Sequence, residues 1–220
     1  MLLWLINIPM VDFMKIVTTP MCEEILKMVG IENYLVNKNP DIEEADFAVV
    51  LSETETKIDS LKLKLNTFTQ IHESAFNLGK ILNLNHFDEN FQEKLSRNLS
   101  KISPWANPKQ KKILRKKNRN IRVEVYSQFL KDIIEDMGYI TVEKDPDFVV
   151  FPDYMEDHFE NKNLDFMGNI ENPKKMENYH YGEIATKYLK IPSHGDVPTN
   201  PLERALMRYN FLEEELCMKL

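Results

Sequence analysis

Cysteine and glycine are both scarce in this chain of 220 residues, which contains two cysteines and six glycines. Cys22 and Cys217 stand far apart, so they predict neither a disulfide framework nor a metal site, and such sparse use of cysteine is typical of a reducing cytoplasm. None of the glycines forms a dinucleotide-binding fingerprint or a phosphate-binding loop. We therefore expect neither nicotinamide chemistry nor P-loop nucleotide chemistry.

The chain also has no apolar run long enough to cross a bilayer and no excess of positive charge. Residues 1–13 are apolar, but they are too short to span a membrane and lack the basic start of a signal peptide. We interpret them as an over-extended start that precedes Met14. The formal net charge of -7 disfavours a general nucleic-acid binder. The sequence thus predicts a cytoplasmic protein with no membrane or nucleic-acid partner, and it leaves formation of a homo-oligomer open.

Recognisable catalytic motifs are missing as well. The five histidines are scattered, with no compelling carboxylate partners at ligand spacing, so no intrinsic metal is predicted. There is no G-x-S-x-G nucleophile elbow. His72 falls on an apolar helical face, where a hydrogen-bonded core residue is a more frequent role than a ligand. Cys217 lies at the end of the last predicted helix, and we assign it no chemistry.

What the sequence does contain is a repeated order of strands and helices. The first copy comprises a strand over 15–19, a helix over 21–29 that stops at Gly30, an extended segment over 34–37 and a strand over 45–51. The second copy comprises a strand over 121–126, a helix from Ser127 to Gly138, an extended segment over 139–143 and a strand over 146–151. The segments Asp-Phe-Ala-Val-Val and Asp-Phe-Val-Val, which begin at Asp46 and Asp147, are also nearly identical in sequence.

This repeat predicts an α/β fold of two Rossmann-like βαβ units with added helices. The apolar strands are continuous, as strands covered on both faces of a parallel sheet should be. We expect a first α/β unit with a helical extension over 14–105 and a second α/β unit with a C-terminal helix over 106–220. Ligands usually bind at the carboxyl ends of such strands, so a cleft between the units is the expected site. The alternative is that the repeat reflects only a common way to build a core.

Three further helices are predicted from apolar spacing. Two lie between the units, over 68–82 and 87–99, and the third follows Asn200 and Pro201 as cap and start. A basic run over 109–119 precedes the second unit. It either attracts a phosphate-bearing ligand or is a solvated linker or helix face.

Cys22 is the residue that the pattern singles out for chemistry, because it stands where the first strand gives way to a helix. We expect Thr19 to be the N-cap and Pro20 the first helical residue, which puts the thiol in the first turn at the rim of the sheet. Such a position can stabilise a thiolate or an oxyanion, although Glu23 and Glu24 oppose thiolate formation. The alternative role for Cys22 is that of a small buried hydrophobe.

The segment Met14-Lys-Ile-Val-Thr-Thr-Pro-Met-Cys-Glu-Glu resembles the start of the HcgF family, which takes part in assembling the iron-guanylylpyridinol cofactor of [Fe]-hydrogenase in methanogenic archaea. The resemblance rests on this small part of the chain. It implies that the protein binds guanylylpyridinol and holds its carboxyl group as a thioester, after an E1-like partner, HcgE, has adenylated that group. Carried over by position, Cys22 is the nucleophile, and the thioester is the activated acyl group for later iron-carbonyl steps.

Strand-end geometry supplies the remaining candidates for contact with such a ligand. The hydroxyls of Thr18 and Thr19 are expected to hydrogen-bond it, and the amides of Met21 and Cys22 to receive the developing oxyanion. The side chains expected to bind the nucleotide part of the ligand are those of Ser52, Thr54 and Asp153. A non-catalytic nucleotide- or cofactor-binding module, or a scaffold, is the alternative function.

Overall fold

The computed structural model describes two compact units that are built on the same plan. The described residues are 14–84, 86–158, 186–193, 195 and 197–217, apart from the side chain of Cys217. Within them, the first unit consists of residues up to 112 together with 198–207. The second consists of residues 113–197 together with those from 208 onward.

The first unit contains a four-stranded sheet in which all neighbouring strands are parallel. Its elements are β1 (Ile16–Thr18), α1 (Glu23–Met28), β2 (Leu35–Val36), β3 (Phe47–Leu51), β4 (Ser60–Leu63), α2 (Phe68–Ile81), α3 (Glu89–Ile102) and the first part of α4 (Pro108–Asn118). The strand order is β2-β1-β3-β4. β1 is therefore an inner strand of this sheet.

The second unit repeats this topology. Its elements are β5 (Arg122–Val125), α5 (Gln128–Asp136), β6 (Ile140–Thr141), β7 (Phe148–Pro152), β8 (Lys187–Ile191) and the later part of α6 (Pro201–Cys217). The order β6-β5-β7-β8 is again fully parallel. The predicted α/β fold of two Rossmann-like units is confirmed, while β4 and β8 are strands that the sequence analysis did not predict.

The repeat extends to the way in which the first helix of each unit ends. Gly30 follows α1 with a φ of 79°, and Gly138 follows α5 with a φ of 85°. The next amide in each case reaches back to the helix, from Ile31 N to Leu26 O at 3.0 Å and from Tyr139 N to Ile134 O at 3.2 Å. Both ends are Schellman motifs, in which glycine adopts the left-handed conformation without a steric penalty.

The core strands are buried as their continuous apolar sequences predict. Ala48, Val49 and Val50 of β3 are fully buried, and every residue of β7 is buried. On β1, Val17 packs with Ala48 and Val50 in one cluster. Burial on both faces fixes the two strands at the centre of their sheets.

The added helices follow their predicted apolar faces. Thr67 caps α2 by accepting a hydrogen bond from Gln70 N at 3.0 Å, and His72 Nε2 lies 2.8 Å from Ser96 Oγ of α3. The hydrogen bond predicted for His72 is present, although its side chain is half-buried and not a core residue. Most of the basic run forms α4, so it is a helix face rather than an irregular linker. None of the described helices is long and apolar enough to cross a membrane.

Candidate functional site

The chain leaves β1 through a turn rather than by entering a helix directly. Cys22 N donates to Thr19 O at 2.9 Å, which closes a four-residue turn with Pro20 at its second position, where the fixed φ of proline is favourable. α1 then begins at Glu23, with Cys22 as an N-cap that makes no side-chain capping bond. The prediction of Thr19 as N-cap and Pro20 as first helical residue is therefore wrong, because the same residues also suit a turn.

This turn changes what the backbone offers to a ligand. The sequence analysis expected the amide of Cys22 to be an open donor for an oxyanion. This expectation is wrong, because the amide already donates to Thr19 O. α1 has only six residues, and its first turn carries Glu23 and Glu24. The Met21 amide makes no hydrogen bond within the described residues, so it remains an open donor near Cys22, and any further stabilisation of an anion must come from side chains.

The Cys22 thiol is buried, with 0% of its surface exposed, which contradicts the expectation of an open thiol at the rim of the sheet. Burial raises the pKa of this thiol from 9.0 to about 11. Thr19 and Arg204 act in the opposite direction and lower the pKa, while the negative charge of Glu53 raises it. The thiol is thus protonated at neutral pH, and its surroundings contain polar and charged groups.

Arg204 brings a buried positive charge to this region from α6. Only 4% of its surface is exposed. Its Nη1 lies 3.3 Å from Met21 Sδ and donates to Pro198 O at 2.9 Å and to Thr199 O at 3.1 Å. The guanidinium therefore contacts the residue that precedes Cys22 in the chain.

Thr19 is the second polar group beside the thiol. Its side chain is 7% exposed, and its Oγ1 is a buried oxygen without a hydrogen-bond partner in the part of the chain that the structure describes. The hydroxyl approaches the thiol closely enough to lower its pKa, but it makes no hydrogen bond of ordinary geometry. A buried hydroxyl without a partner costs about 1–3 kcal/mol, so its position needs an explanation.

Thr18 differs from Thr19, although the sequence analysis gave both the same role. Its hydroxyl is fully buried and donates to Val49 O of β3 at 2.8 Å. This bond joins two neighbouring strands at their carboxyl ends. The donor of Thr18 therefore serves the sheet rather than a ligand.

The other predicted binding residues fall into two groups. Ser52 and Thr54 follow β3 in the first unit, where Ser52 Oγ donates to Glu53 Oε2 at 2.8 Å and Thr54 N donates to Leu51 O at 3.0 Å. Asp153 belongs to the second unit, where it follows β7 and accepts hydrogen bonds from Ser193 N and from Tyr154 N. Asp153 thereby joins the segment that follows β7 to the segment that follows β8.

Sequence reasoning did not find Arg204. The last helix was predicted from its apolar spacing and its Asn200–Pro201 start, and no residue on it was assigned to the site. A signal was present, because Arg204 and Arg208 lie four residues apart beside Ala205 and Tyr209, and all four are buried. Two arginines on the apolar face of a helix are an uncommon pattern, since arginine is seldom buried unless it is paired.

The first unit also contains a cavity of about 360 Å³ between α1, α3 and the start of α6. Its wall carries both charged and apolar side chains, among them Glu24, Lys27, Lys94, Leu95 and Leu202. Burial raises the pKa of Glu24 on this wall. Cys22 is not part of the lining.

Comparison with known proteins defines the fold only. No family model and no curated protein matches this chain. Among solved structures, zinc-bound AdcAII of Streptococcus pneumoniae has a TM-score of 0.51 at 12% identity, and a cadmium-bound periplasmic metal-binding protein from Candidatus Liberibacter asiaticus has a TM-score of 0.52 at 12% identity. The laminin-binding protein Lbp of Streptococcus pyogenes has a TM-score of 0.52, also at 12% identity. Each match covers 92% of this chain and 99% of the other.

These similarities agree with the Rossmann-like α/β architecture derived above. At 12% identity they concern the arrangement of strands and helices and not the ligand. Within the described residues of this chain, no group of three or more histidine, cysteine or carboxylate side chains is placed to hold a metal ion.

Proposed function

We propose that this protein accepts the activated carboxyl group of guanylylpyridinol as a thioester on Cys22. An E1-like adenylating partner, similar to HcgE, supplies the group as an acyl-adenylate. The reaction is a step in assembly of the iron-guanylylpyridinol cofactor of [Fe]-hydrogenase in the cytoplasm of a methanogen. Iron-guanylylpyridinol is then the product of later steps and not a resident group of this chain.

The observation that carries the proposal is the set of polar groups around the buried thiol. Cys22 follows an inner strand of the sheet, and Thr19 and Arg204 act on its thiol. A structural cysteine is usually surrounded by apolar side chains. The resemblance of Met14–Glu24 to the HcgF family supports the same residue independently.

The raised thiol pKa restricts which acyl donors this cysteine can use. A pKa of about 11 leaves almost all of the thiol protonated at neutral pH, so the nucleophile is weak. An acyl-adenylate compensates for this, because its leaving group departs readily. An amide substrate does not, so amide hydrolysis fits this site poorly.

The step balances without an oxidant or reductant. Cys22 Sγ attacks the carbonyl carbon of the mixed anhydride, and a carbon–sulfur bond forms. The bond between that carbon and the bridging phosphate oxygen breaks, and AMP leaves with the electron pair. The thiol proton passes to solvent water.

The proposal is tested by intact-protein mass spectrometry. The protein is incubated with guanylylpyridinol, ATP and the adenylating partner, and we expect a mass gain equal to the ligand minus one water. Hydroxylamine should remove this mass, because it cleaves thioesters. Cys217→Ala is the matched control and should gain the same mass, whereas Cys22→Ala should gain none. An equal adduct on Cys22→Ala, or no adduct on the wild-type protein, overturns the proposal.

Burial of the thiol specifically favours a second candidate function, a nucleotide- or cofactor-binding module without catalysis. In that case Cys22 only contributes to the binding site, and its 0% exposure is its permanent state. The module binds guanylylpyridinol without gaining covalent mass. Binding by calorimetry together with an unchanged mass identifies this function.

A further inference from the structure

Arg204 carries a positive charge that the described part of the chain does not neutralise by an ion pair. Its three contacts are the sulfur of Met21 and two backbone carbonyls, all of which are uncharged. Taking a charged group out of water is costly unless a charge of opposite sign comes with it. Glu53 is near enough to influence Arg204, but it forms no ion pair with it.

The contacts of Arg204 leave one edge of its guanidinium available. All three contacts are made by Nη1, so Nε and Nη2 make no hydrogen bond within the described residues. These two nitrogens form the fork that binds a carboxylate through two parallel hydrogen bonds. The Pro198 and Thr199 carbonyls hold the other edge and thereby fix the orientation of the plane.

The hydroxyl of Thr19 is the second polar group near Cys22 that could bind a ligand. It is more than nine-tenths buried, and it has no hydrogen-bond partner of ordinary geometry within the described residues, although it interacts with the Cys22 thiol closely enough to lower the thiol pKa. Buried hydroxyls nearly always have a hydrogen-bond partner. Thr19 precedes the nucleophile by three residues, and the guanidinium of Arg204, which forms no ion pair with any described residue, contacts the neighbouring Met21. Both groups also act on the Cys22 thiol.

We infer that Arg204 and Thr19 form a carboxylate subsite, in which Nε and Nη2 of Arg204 and the hydroxyl of Thr19 hold the oxygen atoms of the carboxyl group that is to be joined to Cys22. The chemical role of this subsite in acyl transfer rests on the proposed function. Its ability to bind a carboxylate does not, because it follows from the unpaired groups alone.

The same groups can act during acyl transfer. As sulfur attacks, negative charge develops on the carbonyl oxygen, and a donor that is already oriented stabilises that charge without reorganisation. The amide of Cys22 is used by the turn, so Arg204 and Thr19 act in its place, beside the Met21 amide, which has no hydrogen-bond partner among the described residues.

Calorimetry on the full chain with Cys22→Ala separates binding from chemistry, because no thioester can form. Guanylylpyridinol is compared with its carboxamide analogue, which has the same shape and the same phosphate charge but lacks the charge of the carboxylate. We expect the carboxylate to bind roughly 10- to 100-fold more tightly, the range for a charge-assisted pair. Arg204→Met should abolish this preference, and Arg204→Lys should retain part of it. Arg208→Met, in the same helix, is the matched control and should leave the preference unchanged.

Thr19→Val distinguishes a binding role from a structural role. It removes a hydroxyl that has no hydrogen-bond partner among the described residues, so the melting temperature of the free protein should stay equal or rise. Affinity for the carboxylate should nevertheless fall several-fold. A lower melting temperature with unchanged affinity means that the hydroxyl serves the fold and overturns its part in the subsite. This variant also keeps the inference testable if Arg204→Met does not fold.

The two experiments fail in distinguishable ways, although the subsite and the proposed function are both overturned if Cys22→Ala binds no guanylylpyridinol at all. An unchanged carboxylate preference in Arg204→Met overturns the subsite, even where wild-type protein forms the thioester. Conversely, a preference that depends on Arg204 upholds the subsite even where mass spectrometry detects no adduct. In the otherwise wild-type chain, Arg204→Met should slow adduct formation by roughly 10²–10³-fold, as removal of one oxyanion donor does.

Discussion

At the scale of the residue, the environment of Cys22 combines burial with charge. Burial alone makes the thiol a poor nucleophile, and the neighbouring Arg204 offsets only part of this effect. The sequence singled out Cys22 because it stands at a strand end within a recognisable motif, and it left open whether the thiol is exposed or buried. The structure shows that it is buried. The nearby charge of Arg204 could not be predicted, since that residue comes from a distant part of the chain.

The raised pKa of Cys22 has a consequence for stability that can be measured. The folded thiol titrates near pH 11, whereas the ordinary value is 9.0, so only the unfolded chain releases this proton between those values. The contribution of the protonated thiol to the free energy of unfolding is therefore complete below pH 9 and is lost as the pH rises toward 11. The loss is at most about 2.7 kcal/mol, which corresponds to two pKa units.

This prediction is checked by urea unfolding of wild type and Cys22→Ala from pH 8 to about pH 11. The contributions of lysines and tyrosines cancel when the unfolding free energy of the variant is subtracted from that of wild type. The remaining difference should fall between pH 9 and pH 11, because wild type loses stability faster than the variant. A constant difference would contradict the raised pKa.

At the scale of the element, the sequence predicted the inner strands and their helices better than the edges. β3 and β7 are continuous apolar segments, and their helices carry clear stop signals. β4 and β8 were missed because their residues alternate between buried and exposed or include lysines, as edge strands do. The start of α1 was wrong because proline suits both the first turn of a helix and the second position of a β-turn.

The two Schellman glycines lead to a prediction about these elements. Alanine at position 30 or 138 has to adopt a left-handed backbone, at a cost of roughly 1–2 kcal/mol. Gly138→Ala should cost more than Gly30→Ala, because a Cβ there meets the Arg115 backbone Cα at 2.8 Å, whereas at Gly30 it meets the His86 side chain at 3.0 Å. A side chain can move more readily than backbone. Denaturant unfolding of both variants measures the order, and equal or reversed losses would refute it.

At the scale of the whole molecule, two units with the same strand order account for most of the chain. The repeat could be recognised in the sequence because each copy has the same order of apolar segments and the same glycine after its first helix. The contact between Met21 and Arg204 could not be predicted, since 183 positions separate the two residues. A site that joins the two ends of a chain leaves no local pattern for sequence reasoning to find.

Binding of guanylylpyridinol should stabilise the whole protein, since a ligand that binds only the native state raises its melting temperature. At 100 times the dissociation constant the gain is about 2.7 kcal/mol. For a chain of this length that corresponds to an increase of roughly 5–10 °C. Differential scanning fluorimetry measures this shift. A scaffold that does not bind the ligand shows no shift at any concentration.

The account depends most on the bond between Cys22 and the acyl carbon, and a crystal structure of the protein after reaction with the adenylated ligand tests it directly. We predict continuous electron density from Cys22 Sγ to the carbonyl carbon, with the acyl oxygen held by Arg204 and Thr19. A ligand whose carboxyl group lies at van der Waals distance from the sulfur, with no connecting density, would contradict the account.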